Sequence, residues 1–134
     1  MSALIDALAA EQSALYTYGV LGSRASGVQA THLQQAYDAH RARHDALLAF
    51  AHARGLTPPA GAVYPTPPGI DTPAGLQQAA AAVETGCLGP YAALVGASSG
   101  QLRAWAANAL SDCAVQAVGF QAAPTPLPGL TGPK

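Results

Sequence analysis

The prolines of this 134-residue chain limit where long helices can form. Six of the eleven prolines lie between Pro58 and Pro73, four lie between Pro124 and Pro133, and Pro90 stands apart. Proline lacks a backbone N–H and clashes with the preceding turn, so it disrupts the interior of a helix. Three proline-free regions remain, and they are rich in alanine and leucine. The sequence therefore predicts an all-α fold.

Capping residues and glycines set the expected helix ends. Thr72 precedes Pro73, an arrangement that favours a helix start at that point. Ser26 or Thr31 begins the second helix, which leaves its start open by about one turn, and Ser98 is expected to cap the fourth. Four helices are predicted, at about residues 3–24, 28–54, 73–97 and 99–121.

The lengths of the connections predict how these helices are arranged. The first two helices, and the last two, are joined by a few residues each, which favours two antiparallel hairpins. Residues 55–72 can span ~55 Å when extended, whereas the second helix is ~38 Å long. This Pro-rich crossover therefore makes the second and third helices parallel. The alternative is a linker between separate hairpins, which we disfavour because a lone hairpin buries too little surface.

Polar residues interrupt the apolar seams that should face the core. Buried positions in a bundle alternate between three and four residues apart. That spacing places Glu11 on the seam of the first helix and Glu84 on the seam of the third, and these are the only glutamates in the chain. On the second helix, His40 and His44 take seam positions level with Glu11. A carboxylate buried there needs a histidine or a metal as its partner.

Two segments of the chain resemble a bacterial ferritin-like family of unknown function. They are Glu11–Val20 (EQSALYTYGV) and His40–Leu47 (HRARHDAL), and the resemblance extends over residues 3–130, including the proline-rich end. It implies a ferritin-like four-helix bundle over residues 1–122, followed by a Pro-rich tail at 123–134.

The resemblance also implies a degenerate di-iron-type site. Di-iron members supply one glutamate from each of two helices and a Glu-x-x-His pair from each of the others. Glu11 and Glu84 match the single glutamates. The second helix has Tyr37-x-x-His40 and the fourth has Cys113-x-x-Gln116, so the pairs are incomplete.

Two hypotheses for the site follow. In one, Glu11, His40 and Glu84 bind Fe, Mn or Zn; His44 is a weaker ligand because arginine often takes its place in the family. In the other, these residues form a metal-free hydrogen-bonded network. We favour the network because the fourth helix lacks ligands. The expected function is a non-enzymatic helical bundle, and the alternative is a metal-binding protein or a metal-dependent oxidoreductase.

The remaining candidate residues are interpreted as structural. Cys87 and Cys113 are expected to be free buried thiols, because they are two unclustered cysteines in a chain expected in the cytoplasm. The absence of a C-x-x-C motif argues against a redox role. Four tyrosines are expected in the core with hydrogen-bonded hydroxyl groups: Tyr16, Tyr18, Tyr37 and Tyr91. Arg43 is expected on the solvated face of the second helix.

Composition narrows the class of partner. Charged residues make up 10% of the chain, and the formal net charge is -1. A balance of this kind disfavours nucleic acid and anionic membranes as partners. No apolar run reaches the ~18 residues of a spanning helix, and the amino terminus lacks the pattern of a signal peptide, so a cytoplasmic protein is expected. Alanine-rich surfaces predict a homodimer.

Overall fold

The computed structural model describes residues 2–120 and contains four α-helices, with no β-strand within that range. This confirms the all-α prediction. The Pro-rich tail predicted at residues 123–134 lies outside the described residues. The helices are α1 (Ser2–Arg24), α2 (Gly27–Ala53), α3 (Pro73–Ala97) and α4 (Gly100–Gly119).

The start of α3 is fixed by side-chain capping and close backbone contact. The Oγ1 atom of Thr72 accepts a hydrogen bond from the backbone N–H of Gly75 at 3.0 Å, which confirms the predicted cap. A Cβ atom on Gly75 would lie 1.6 Å from the carbonyl oxygen of Gly69, so only glycine fits there. Beyond this start, α3 continues through Pro90.

The other two predicted caps differ from the structure. Ser26 is the N-cap of α2, but its side chain makes no capping hydrogen bond. The N-cap of α4 is Ser99, which also makes none, and the predicted Ser98 instead donates to the carbonyl oxygen of Leu94 at 2.5 Å. The prediction for Ser98 was wrong because its hydroxyl binds the last turn of α3 before α4 begins.

Helix α1 packs against both α2 and α3, and α4 packs against α3. The buried apolar residues form two clusters. Along α2 and α3, the buried residues His40 and Glu84 lie between the parts that belong to each cluster. A polar layer therefore crosses the middle of an otherwise apolar core.

The segment between α2 and α3 follows α1 along its length. Its Ile70 side chain is buried, which anchors the segment before α3 begins. Because the segment is held at several points, it differs from a free linker between two separate units. Three contacts tie it to α1 in order: Gln12 with Pro59 (3.3 Å), Tyr16 with Tyr64 (ring centroids 5.5 Å apart) and Arg24 with Asp71 (3.1 Å).

Within residues 2–120, no helix combines the length and the apolarity needed to cross a membrane.

Candidate functional site

Three polar side chains are completely buried where α1, α2 and α3 meet. Glu11, His40 and Glu84 each have 0% exposure. This confirms the prediction that both glutamates turn toward the core and meet an imidazole there. Their burial is costly unless each charge finds a partner, so the surrounding contacts decide what the site can do.

His40 bridges the two carboxylates. Its Nδ1 atom is hydrogen-bonded to Oε1 of Glu11, and its Nε2 atom lies 2.6 Å from Oε2 of Glu84. A carboxylate on each ring nitrogen favours the doubly protonated imidazolium, in which both N–H groups donate. Burial alone lowers the pKa of His40, but the hydrogen bonds and charges of the two glutamates outweigh it and raise the pKa to about 9. His40 is therefore a cation at neutral pH.

Arg43 supplies a second cation. Its Nε atom donates to Oε2 of Glu11 at 3.1 Å, and its Nη2 atom lies 4.0 Å from Oε1 of Glu84. The side chain is 11% exposed. The prediction that Arg43 lies on a solvated face was wrong, because its long side chain turns inward from the edge of the seam and pairs with Glu11.

Two tyrosines complete the hydrogen bonding of the glutamates. The hydroxyl of Tyr18 donates to Oε2 of Glu84, and that of Tyr91 donates to Oε2 of Glu11. Burial, followed by the adjacent carboxylate charge, raises the pKa of both phenols, so both remain neutral donors. The Tyr18 ring also stacks on the His40 ring, with centroids 5.2 Å apart. The predicted core position is confirmed for Tyr18 and Tyr91, but it was wrong for Tyr16, which is 40% exposed, and Tyr37 is only partly buried.

The charges of this cluster balance. Two carboxylates face one imidazolium and one guanidinium, so the group is neutral as a whole although its members are charged. One atom is left over: Oε1 of Glu84 is buried and has no hydrogen-bond partner among the described residues. We call the set Glu11, His40, Arg43 and Glu84 the ionic cluster.

The residues in and around the ionic cluster correspond in pairs between the two halves of the chain. Each glutamate accepts a hydrogen bond from the tyrosine seven residues after the other glutamate. Helices α2 and α4 also begin alike, with a glycine of φ 60° or 59° at their first position. Pairs of residues separated by 73 positions occupy corresponding places: Glu11 and Glu84, Tyr18 and Tyr91, His40 and Cys113, Arg43 and Gln116, Gly27 and Gly100.

His44 lies outside the ionic cluster. Its Nδ1 atom is 3.3 Å from Oδ1 of Asp45, and its side chain is 20% exposed. The prediction that His44 converges with Glu11 was wrong because α2 turns Ala36 and Arg43 inward instead of the residues that follow them. The offset of 73 residues does not find Arg43, because its counterpart Gln116 is partly exposed, whereas Ala117, the counterpart of His44, is buried on α4.

A second arrangement of donors includes a thiol. Within residues 2–120, ligand atoms of Glu11, His40 and Cys87 all lie within 4.8 Å of one another. Glu84 is absent from this group. Cys87 was interpreted from the sequence as a core residue alone. It and Cys113 are free and buried, as predicted, and a hydrogen bond with Cys113, together with burial, raises the pKa of Cys87.

The side chains do not fit the di-iron centre that the ferritin-like resemblance implies. Such a centre needs a carboxylate and an imidazole from each of two helices. His40 is the one such ligand present on α2, while Cys113 and Gln116 stand where α4 should provide them. Arg43 also brings a positive charge to the place where two cations would have to sit.

Comparisons with known proteins place this fold in a family. Residues 3–132 match a family model described as "Domain of unknown function (DUF4439)". The structure is similar to the crystal structure of a conserved hypothetical protein, rv2844, from Mycobacterium tuberculosis. The two chains are 29% identical, the TM-score is 0.82, and the match covers 89% of this chain and 92% of that chain. Among curated proteins, none matches this chain.

The raised pKa of His40 predicts how stability depends on pH. The folded pKa of about 9 lies above the unfolded value of 6.5, so the contribution of His40 is complete below about pH 6.5 and is lost as the pH rises through about 9. We expect the free energy of unfolding, measured by urea denaturation, to fall across this range.

The His40→Gln variant, which keeps hydrogen-bonding atoms without the titration, is the control. Its pH profile should be flatter than that of the unmodified chain, although its stability at neutral pH should be lower. Parallel profiles for the two proteins would contradict the prediction.

Proposed function

We propose that this chain, which belongs to the DUF4439 family, is a ferritin-like four-helix bundle. In this bundle, the ionic cluster takes the place of a metal centre. The protein then acts as a non-enzymatic helical module that folds without metal. The observation that carries this proposal is the bridge formed by His40 between two fully buried glutamates, with Arg43 beside it.

The contacts between helices support the ferritin-like topology. Tyr18 reaches Glu84 while Glu11 reaches Tyr91, so residue numbers rise along α1 as they fall along α3, as in antiparallel helices. Near the start of α2, the side chain of Gln29 donates to the carbonyl oxygen of Pro73 at 2.8 Å, which brings the beginnings of α2 and α3 together. Parallel α2 and α3 need a crossover between them, and the segment along α1 suits that role.

The balance of charge supports the metal-free reading of the site. In a di-iron bundle, the metal ions neutralise the buried carboxylates. Here His40 and Arg43 neutralise Glu11 and Glu84, and each cation makes hydrogen bonds of its own. Removing a partner from such a cluster leaves an uncompensated buried charge, which costs about 3–5 kcal/mol. The cluster therefore holds the helices in one arrangement.

A metal-binding protein remains the second candidate, and one observation favours it. The ligand atoms of Glu11, His40 and Cys87 lie close enough together for a single ion to draw them in. A site of this kind differs from the set of Glu11, His40 and Glu84 expected from the sequence. It provides too few ligands for a pair of iron ions.

The proposal predicts that folding is independent of metal. In protein purified without chelator at neutral pH, elemental analysis should find Fe, Mn and Zn each well below one ion per chain. The midpoint of thermal unfolding should be the same with and without EDTA, because no ion contributes to the folded state. Near-stoichiometric metal, or a midpoint that falls on chelation, would contradict the proposal.

We also propose that the module forms a homodimer through α4. Val115 is 70% exposed and Val118 is 46% exposed on this helix, and the low charge of the chain leaves apolar surface that a second copy can cover. Val28 on α2 is 72% exposed and serves as a control position.

Sedimentation analysis tests this interface. We expect the unmodified chain to sediment as a dimer, and the paired variant Val115→Glu with Val118→Lys to sediment as a monomer because buried charges oppose association. The Val28→Glu variant should remain dimeric. A monomeric unmodified chain at micromolar concentration would refute the interface.

The cytoplasm is the proposed location. Two free buried thiols, Cys87 and Cys113, support a reducing compartment, where cysteines remain unpaired.

A further inference from the structure

We propose that the ionic cluster has a second state, in which Glu11, His40 and Cys87 bind one divalent ion of the zinc class. This inference concerns the site of the proposed function, and it takes the metal-free network described above as the ion-free state. It adds Cys87, a residue outside the ionic cluster, as the ligand that determines which ion binds.

The geometry requires only small movements. Zinc lies about 2.0–2.3 Å from nitrogen, oxygen and sulfur ligands, which places tetrahedral donors roughly 3.3–3.8 Å apart. The three donors here lie within 4.8 Å of one another, so side-chain movements of about 1 Å bring them to these distances. Three protein donors leave one tetrahedral position for a water molecule. All three residues are buried, so bulk water does not compete for the donors.

The donor types select the ion. A thiolate, an imidazole and a single carboxylate form a soft to borderline set, which suits Zn²⁺ and Co²⁺ and is poor for Mg²⁺ and Ca²⁺. Only one half of the chain has this thiol. The position in the first half that corresponds to Cys87, 73 residues earlier, is Ala14, and alanine offers no ligand. The site therefore arises from a difference between the halves, in contrast to the symmetric carboxylate ligands of a di-iron centre.

Ion binding preserves the charge balance of the cluster. A thiolate and a neutral nitrogen are the coordinating forms, so the ion displaces one proton from Cys87 and one from His40. The ion brings two positive charges, and the two displaced protons remove two. Arg43 continues to face Glu11 and Glu84, and the buried group is neutral in both states.

A groove between α1 and α3 provides a path to the thiol. It has a volume of about 170 Å³, and Cys87 is one of the residues that line it. Its walls are small side chains, among them Ala10, Ser13, Ala14 and Gly86, so an ion needs to displace little to pass. The residues that line this groove all belong to α1 and α3, so Arg43 of α2, whose guanidinium would repel a cation, is not among them.

Cobalt binding to the full chain tests this inference. The chain is freed of metal with chelator, exchanged into buffer at pH 8 and titrated with Co²⁺ alone. We expect one equivalent to bind, with visible d–d bands of a tetrahedral ion and a near-ultraviolet band from charge transfer between thiolate and cobalt. The Cys87→Ser variant should lose the charge-transfer band and bind about a hundredfold more weakly.

The Cys113→Ser variant is the matched control, because it alters the neighbouring buried thiol and should keep the band. Circular dichroism of each variant confirms that it is folded. The inference is overturned if the unmodified chain takes up no Co²⁺ at millimolar concentration, or if the Cys87→Ser variant binds as the unmodified chain does. A chain that binds no Co²⁺ would contradict this inference and agree with the proposed metal-independent bundle. Metal retained through purification at neutral pH would contradict the proposed function instead.

Discussion

The His40 imidazolium, held between two carboxylates at full burial, is the interaction on which the packing of three helices depends. Each ring nitrogen is bound to a glutamate from a different helix, so one side chain of α2 fixes the relative positions of α1 and α3. Moving any of the three helices along its axis would break at least one of these bonds and leave a charge without a partner. An apolar core of alanine and leucine tolerates such movement, whereas this layer does not.

The two halves of the chain use this layer unequally. Each half supplies one glutamate and one tyrosine, and the four groups bind one another in a reciprocal pattern. Only the first half supplies cations, because α4 carries Cys113 and Gln116 where α2 carries His40 and Arg43. One pair of cations therefore serves both carboxylates. The consequence is visible at Glu84: in the part of the chain that the structure describes, its Oε1 atom is buried without a hydrogen-bond partner, while both oxygens of Glu11 are bonded.

Much of the fold could be predicted from local chemistry, and part of the site could not. Proline positions and Thr72 locate the helices because they act through the backbone within one turn. The inward direction of Glu11 and Glu84 follows from helical periodicity. The choice between Arg43 and His44 does not follow from it. Between His40 and Leu47, either of these two residues can continue the seam. Tertiary packing decides it, and Arg43 has the length to reach Glu11. Comparison of the two halves does not supply the missing information, since the buried residue of α4 at this level is Ala117, the counterpart of His44, and not Gln116, the counterpart of Arg43.

The central claim is that buried cations and carboxylates stabilise one another in this core, and a double-mutant cycle on Glu11 and Arg43 tests it most directly. Unfolding free energies are measured in urea for the unmodified chain, for Glu11→Gln, for Arg43→Met and for the double variant. If the two charges compensate each other, the double variant should lose less stability than the two single variants together, with a coupling energy of about 2 kcal/mol or more. Losses that add to within about 0.5 kcal/mol would contradict the account.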